Sequence, residues 1–209
     1  QRQMCIRDSP YGSPSLEELC AGKKDIVIIS SDHTRPVPSR VTMPILLHHI
    51  HSAAPEARVR ILVATGMHRP STHEELVNKY GEEIVANEEI VMHVATDDSM
   101  MKKIGTLPSG GECIINKIAA DCDLLLAEGF IEPHFFAGFS GSRKSVLPGI
   151  ASYKTIMYNH NGQFVNDSHS RAGNLCHNHV SEDMFAAAEM AHLAFVLNVV
   201  LNGKHEVIG

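Results

Sequence analysis

The chain has 209 residues, 44% of them apolar and 20% charged, with a formal net charge of −6. Acidic and basic residues are interspersed without a Lys/Arg block, which argues against a nucleic-acid surface, and no apolar run approaches the ~20 residues of a membrane span. The five cysteines form an odd count without a Cys-x-x-Cys pair, so a disulfide framework or zinc ribbon finds no support and a reducing, cytoplasmic setting is expected.

In chain order, QRQMCIRDS lacks any pattern and begins with no secretion signal. Residues 1–9 are expected to be a non-native or disordered start, leaving 10–209 as the folded domain. DIVIIS (25–30) reads as a buried strand feeding the polar loop SDHTRPVPS. A helical pattern starts at Ser39 and runs through HHIHSAA, with Pro44 confined to its first turn. RVRILVATG (58–66) is a second buried strand. STHEELVNKYGEEIVA (71–86) reads as one helix with Ser71 as N-cap and Glu74 completing a capping box. EIVMHVAT (89–96) alternates as a strand, and IINKIAA (114–120) fits either strand or helix. DLLLAEGF (123–130) is a further buried strand. IASYKTIMYNH and SEDMFAAAEMAHL are helical, the second capped by Ser181. AFVLNVVLNGKHEVIG reads as a strand pair turning at Asn-Gly.

Strands alternating with helices predict an α/β fold: a mostly parallel sheet with helices on both faces, a Rossmann-like three-layer domain. Ligands of such sheets sit beyond the carboxyl ends of the strands. Three strands deliver polar clusters there: DHTRP, GMHRP and EPHFFAG.

His is the one compositional excess, with 14 residues. His68 and His134 each follow a buried strand directly. Two imidazoles flanking one carbon suit a racemase, in which one base removes a proton and another acts from the opposite side. Two loop histidines with no shared task would give the same pattern. Arg35, between prolines, can clamp a carboxylate through two hydrogen bonds, with Asp32 orienting it or a neighbouring His; a local Asp–Arg loop pair is the plain alternative. GFSGSRKS (138–145) fails the P-loop template because Arg143 stands before Lys144. Its Gly/Ser backbone can still meet a phosphate, and Lys144 is either an attachment point or a solvated turn lysine. HHIH (48–51) and HNH (177–179) look metal-like but have no adjoining carboxylate pattern, and surface histidines explain them. His160, in YNHNG, is a metal-ligand candidate.

Four motifs in order, SDHTRPVPS (31–39), ATGMHRP (64–70), EPHFFAGFSGSRKSVLPG (132–149) and YNHNG (158–162), resemble those of the nickel-pincer lactate racemases and related 2-hydroxyacid racemases and epimerases. The resemblance implies a nicotinate-derived nickel-pincer nucleotide tethered to Lys144 by a thioamide, with His160 as a nickel ligand. It implies His68 and His134 as the acid–base pair, Arg35 on the substrate carboxylate, Asp32 beside it at the cofactor pocket, and residues 140–142 near the cofactor. The implied reaction moves hydride between C2 of a lactate-like 2-hydroxyacid and the cofactor through a planar 2-keto acid. It also implies cofactor-assembly enzymes as partners. Family members are longer and carry a second domain, so the chain is expected to be a fragment, active alone or not. Two other readings use the same residues. One is a non-catalytic α/β binding protein for a phosphorylated or carboxylate metabolite. The other is a metal-dependent hydrolase drawing on the histidines.

Overall fold

The computed structural model describes residues 12–204 and 206–209. The expectation for residues 1–9 lies outside them. Five strands form one parallel sheet: β1 (Asp25–Ser31), β2 (Arg58–Ala64), β3 (Glu89–Met92), β6 (Leu124–Ile131) and β9 (Leu193–Val200). Their order is β3-β2-β1-β6-β9, with every neighbouring pair parallel. The order reverses between β1 and β6, so the crevice of a doubly wound sheet opens at their carboxyl ends.

Period-2 alternation makes the sheet two-faced. Ile26 and Ile28 of β1 pack on Met43, Leu46, Leu47 and Ile50 of α2 (Ser39–Ala53), on Tyr80 of α3 (His73–Tyr80) and on Leu16 of α1 (Leu16–Cys20). Val27 and Ile29 point the other way, into a cluster with Ile156 of α6 (Tyr153–Asn159) and with Val180, Met184 and Ala187 of α8 (His179–Met190). Each fully buried side chain of this kind stabilises by about 1.5–3 kcal/mol, which is why the β-branched runs are committed to the middle layer. The expected three-layer α/β architecture is the one observed.

Several local expectations shift. Pro44 sits in the second turn of α2, not the first. The carbonyl it leaves without an N–H donor belongs to Arg40, which is exposed to water, while the apolar face beyond it is buried. The 71–86 helix starts one residue late. Thr72 is the N-cap and Glu75 closes the box, while the Ser71 hydroxyl bonds His33 Nδ1 at 2.9 Å. Gly81, at φ +94°, breaks it into α3 and α4 (Glu82–Asn87). Strand β3 ends at Met92; the His93 N–H still donates to Val63 O of β2, and its imidazole turns inward to Ala151 O.

Residues 101–106 and 112–116 form an antiparallel hairpin, β4 (Met101–Thr106) and β5 (Glu112–Asn116). Asn116 then caps α5 (Lys117–Asp121), so the ambiguous IINKIAA is strand first and helix after. Asn161 caps the short α7 (Gly162–Val165), and Asn178, not Ser181, caps α8. The expected carboxyl-terminal hairpin is present as a short return, in which the Asn202 N–H donates to Glu206 O, the Ile208 N–H to Val200 O and the Val200 N–H to Gly209 O around the antiparallel bridge Leu201–Val207, while β9 takes its long parallel ladder from β6. Cys20, Cys113, Cys122 and Cys176 are free thiols. No helix among the described residues is long and apolar enough to cross a membrane.

Candidate active site at the carboxyl edge of the sheet

Strand β1 releases the chain at Ser31 into a loop that folds back on itself. The Thr34 N–H and hydroxyl both donate to Asp32 Oδ1, at 3.1 and 2.6 Å. Asp32 is 1% exposed, and its other oxygen lies 2.7 Å from His68 Nδ1. A carboxylate is acceptor-only, so this contact places the ring proton on Nδ1 and leaves Nε2 of His68 as the basic nitrogen. His68 reaches this position from β2 through a turn in which the Gly66 N–H donates to Gly149 O. Gly66 has φ +55°, a conformation that favours glycine.

Strand β6 leads into a two-residue ladder of β7 (Pro133–His134) and β8 (Gly138–Phe139). The Ala137 N–H donates to His134 Nδ1 at 3.3 Å. Its Nε2 lies 3.3 Å from Lys144 Nζ. Phe136 stands edge-on to both His134 and His160, with ring centroids 4.6 and 5.2 Å away. Arg143, 5% exposed, holds this turn by donating to Ala137 O, Phe139 O and Ser181 Oγ, and it stacks on Phe185. Its Nε has no partner.

The electrostatics of this corner follow from burial among cations. Burial, then Arg143 and Arg35, lowers the Lys144 ammonium to about 8. Burial, then Lys144, His160 and the two arginines, lowers His134 to about 4. His160 falls to about 4 through burial and Lys144. Both imidazoles are thus neutral at neutral pH, and Lys144 loses its proton far more readily than a surface lysine. Labelling of Lys144 by an amine-reactive reagent, followed by peptide mass spectrometry, is therefore expected to be half-maximal near pH 8; a midpoint above pH 10 would contradict this environment.

Asp32, Arg35, His68, His134, Lys144 and His160 all line one cavity of about 250 Å³. Arg35 and Lys144 have no carboxylate partner among the described residues. His160 caps α6, and its Nδ1 is buried without a partner. The HHIH and HNH runs lie elsewhere: His49 pairs with Glu17, His51 with Glu88, and His179 with Glu182. No group of three or more His, Cys, Asp or Glu among the described residues is placed to hold a metal. A hydrolytic zinc site uses three protein ligands, a set of a kind not found among the described residues.

Sequence reasoning passed over three contributors. Thr34 was visible as an Asp-x-Thr turn. Glu128 was visible as a lone carboxylate within the apolar run LLLAEGF, and it lines the same cavity. The role of Arg143 as the pin of the 137–139 turn had no local signal.

A family profile described as "Lactate racemase N-terminal domain" matches residues 6–173. The lactate racemase of Lactiplantibacillus plantarum is 70% identical over 202 residues, covering 97% of this chain and 48% of that protein. The lactate racemase of Thermoanaerobacterium thermosaccharolyticum is 53% identical over 201 residues, covering 96% and 47%. The solved structure of the lactate racemase apoprotein from the latter organism superimposes with TM-score 0.95 at 53% identity, over 96% of this chain and 48% of that one. A Thermotoga maritima protein at 22% identity, covering 92% and 51%, has TM-score 0.74 and shares the fold. The chain spans about half the length of the curated relatives it matches.

Proposed function

The chain belongs to the lactate racemase N-terminal domain family, and from this premise we propose that residues 10–209 form the cofactor-binding and catalytic domain of an isomerase that interconverts the enantiomers of lactate or a similar small 2-hydroxyacid. The observation that carries the reading is the meeting of His68, His134, Arg35 and Lys144 in one cavity.

The nickel-pincer nucleotide implied by the resemblance fits the residues present. Lys144 is a partly buried amine without a counter-ion among the described residues, and thioamide formation would remove the charge that burial penalises. His160 offers one imidazole with an unpartnered buried nitrogen, a borderline donor suited to nickel. The single protein ligand is what a metal already held by an organic ligand set requires. Lys144 would hold the group, His160 would supply one ligand to its nickel, and when bound the group would accept hydride from C2 and return it. Its delivery implies cofactor-assembly enzymes as partners.

The chain's own residues handle the rest. Arg35, with no carboxylate partner among the described residues, would take the substrate carboxylate through two hydrogen bonds. His68 Nε2 would accept the hydroxyl proton of one enantiomer, and the Asp32 carboxylate, 2.7 Å from Nδ1, would stabilise the imidazolium formed. His134 would serve the other enantiomer. Acylation of Lys144 would withdraw the cation that most depresses its basicity after burial.

The test is racemisation of L- and D-lactate, then of a panel of 2-hydroxyacids, by cofactor-loaded protein extended to the relatives' full length. Loaded protein that leaves every enantiomer unchanged would overturn the reading. Arg35→Ala is expected to raise KM for lactate by about 10- to 100-fold, since a charged hydrogen-bonded contact contributes about 1.5–3 kcal/mol. Arg35→Lys should recover little, because an ammonium cannot reproduce the planar fork. An unchanged KM in Arg35→Ala would remove Arg35 from the binding role.

A further inference from the structure

Glu128 is a carboxylate in the middle of the sheet, 1% exposed, with apolar neighbours along β6. Three hydroxyls converge on it. Ser30 Oγ donates to Oε1 at 2.6 Å, Ser39 Oγ donates to the same oxygen at 2.5 Å, and Thr42 Oγ1 donates to Oε2. The Tyr80 hydroxyl donates in turn to Ser30 Oγ at 2.7 Å, and Lys79 Nζ donates to Ser31 Oγ at 3.2 Å.

The chain positions of these donors are the informative part. Ser30 lies near the end of β1, and Ser39 is the first residue of α2. Between them runs the loop that carries Asp32 and Arg35. A single carboxylate oxygen on β6 therefore ties together both ends of that loop, across the crevice where the strand order reverses. Packing alone does not call for this group, since an apolar residue of similar volume in place of a buried charge is often neutral or stabilising.

We propose that Glu128 is a positioning residue: by holding Ser30 and Ser39 on one oxygen it fixes the 31–38 loop, so that Asp32 stays on His68 and Arg35 stays aimed into the cavity. This rests on the racemase reading for its catalytic consequence, but the positioning can be observed without it.

In the cofactor-loaded protein of full length, Glu128→Ala is expected to raise KM for lactate about tenfold or more, with a smaller fall in kcat. Glu128→Gln should recover most of the loss. Its amide oxygen can accept both serine hydroxyls, and Thr42 can accept from the amide while turning its own hydrogen to Pro38 O, 3.3 Å away. The discriminating measurement is the double variant. If Glu128 acts through the loop, adding Glu128→Ala to Arg35→Ala raises KM by less than about twofold more. Multiplicative losses would overturn the proposal. Should Glu128→Ala fail to fold, the Ser30→Ala/Ser39→Ala pair removes the two loop-end donors, leaves the carboxylate with Thr42, and is expected to give the same KM change and the same non-additivity.

The independent readout is the nitrogen-15 spectrum of His68 without substrate or cofactor. The protein is expected to show the Nδ1–H form, and Glu128→Ala or the serine pair to lose that preference as Asp32 moves. Loss of the preference in a protein that racemises nothing would sink the functional reading and sustain the positioning. An unchanged His68 spectrum in variants that fold would sink the positioning whatever the activity.

Discussion

Replacing Lys144 by alanine is expected to abolish covalent cofactor loading and, with it, all detectable racemisation. Lys144 stands in the 3-10 turn Ser142–Ser145, beside β6, with its amine 3.3 Å from His134 Nε2 and over the Phe136 ring. Burial and two neighbouring guanidinium groups hold its ammonium near 8, so the nucleophilic free amine is present at neutral pH in far larger proportion than for a solvated lysine near 10.4. Among the described residues, no other lysine lines the cavity. Lys144→Arg should fail equally, since a guanidinium stays protonated and cannot form the amide-like bond. The check is intact-mass measurement after expression together with the cofactor-assembly enzymes. An adduct of unchanged mass and occupancy in Lys144→Ala would remove Lys144 from this role.

Replacing His68 or His134 by alanine is expected to lower racemisation by about 10²–10⁴-fold, the usual contribution of a positioned acid–base group. The two losses should differ in kind. Enantiomers have equal free energies, so kcat/KM must fall equally in both directions for either variant. The asymmetry appears only in the first half-reaction, read as the single-turnover response of the loaded protein to one enantiomer at a time. Each variant should lose the response to one enantiomer and largely keep the other, with the opposite preference in the two variants. The environments are already unlike. His68 has a buried carboxylate on Nδ1, whereas His134 receives a backbone N–H on Nδ1 and faces cations. If both variants lose both responses alike, the two-base scheme is wrong.

Much of the fold was legible because it rests on short-range pattern. The apolar β-branched runs at 25–30, 58–64 and 124–130 read as buried strands, and period-2 alternation supplied their two faces. The boundaries that moved did so where one hydrogen bond outcompeted another of the same type. Thr72 caps in place of Ser71 and Asn178 in place of Ser181, differences of one and three residues that propensity does not resolve. The turn signal at Asn202–Gly203 is local and does return the chain onto the end of β9, whereas the parallel ladder of β9 with β6 has no local signal.

By itself the amino-acid sequence determined the α/β class, the strand ends from which polar clusters emerge, and the four motifs that resemble one family. All of these depend on residues near one another in the chain. Only the tertiary structure decided that six of those side chains line one cavity and that Asp32 holds His68 across 36 positions. It alone decided that Glu128 gathers Ser30 from 98 positions away and Ser39 from 89, and that Lys144 faces His134. These pairings are made by strands adjacent in space and distant in sequence, and whether a buried charge is neutralised depends on what arrives from the neighbouring strand.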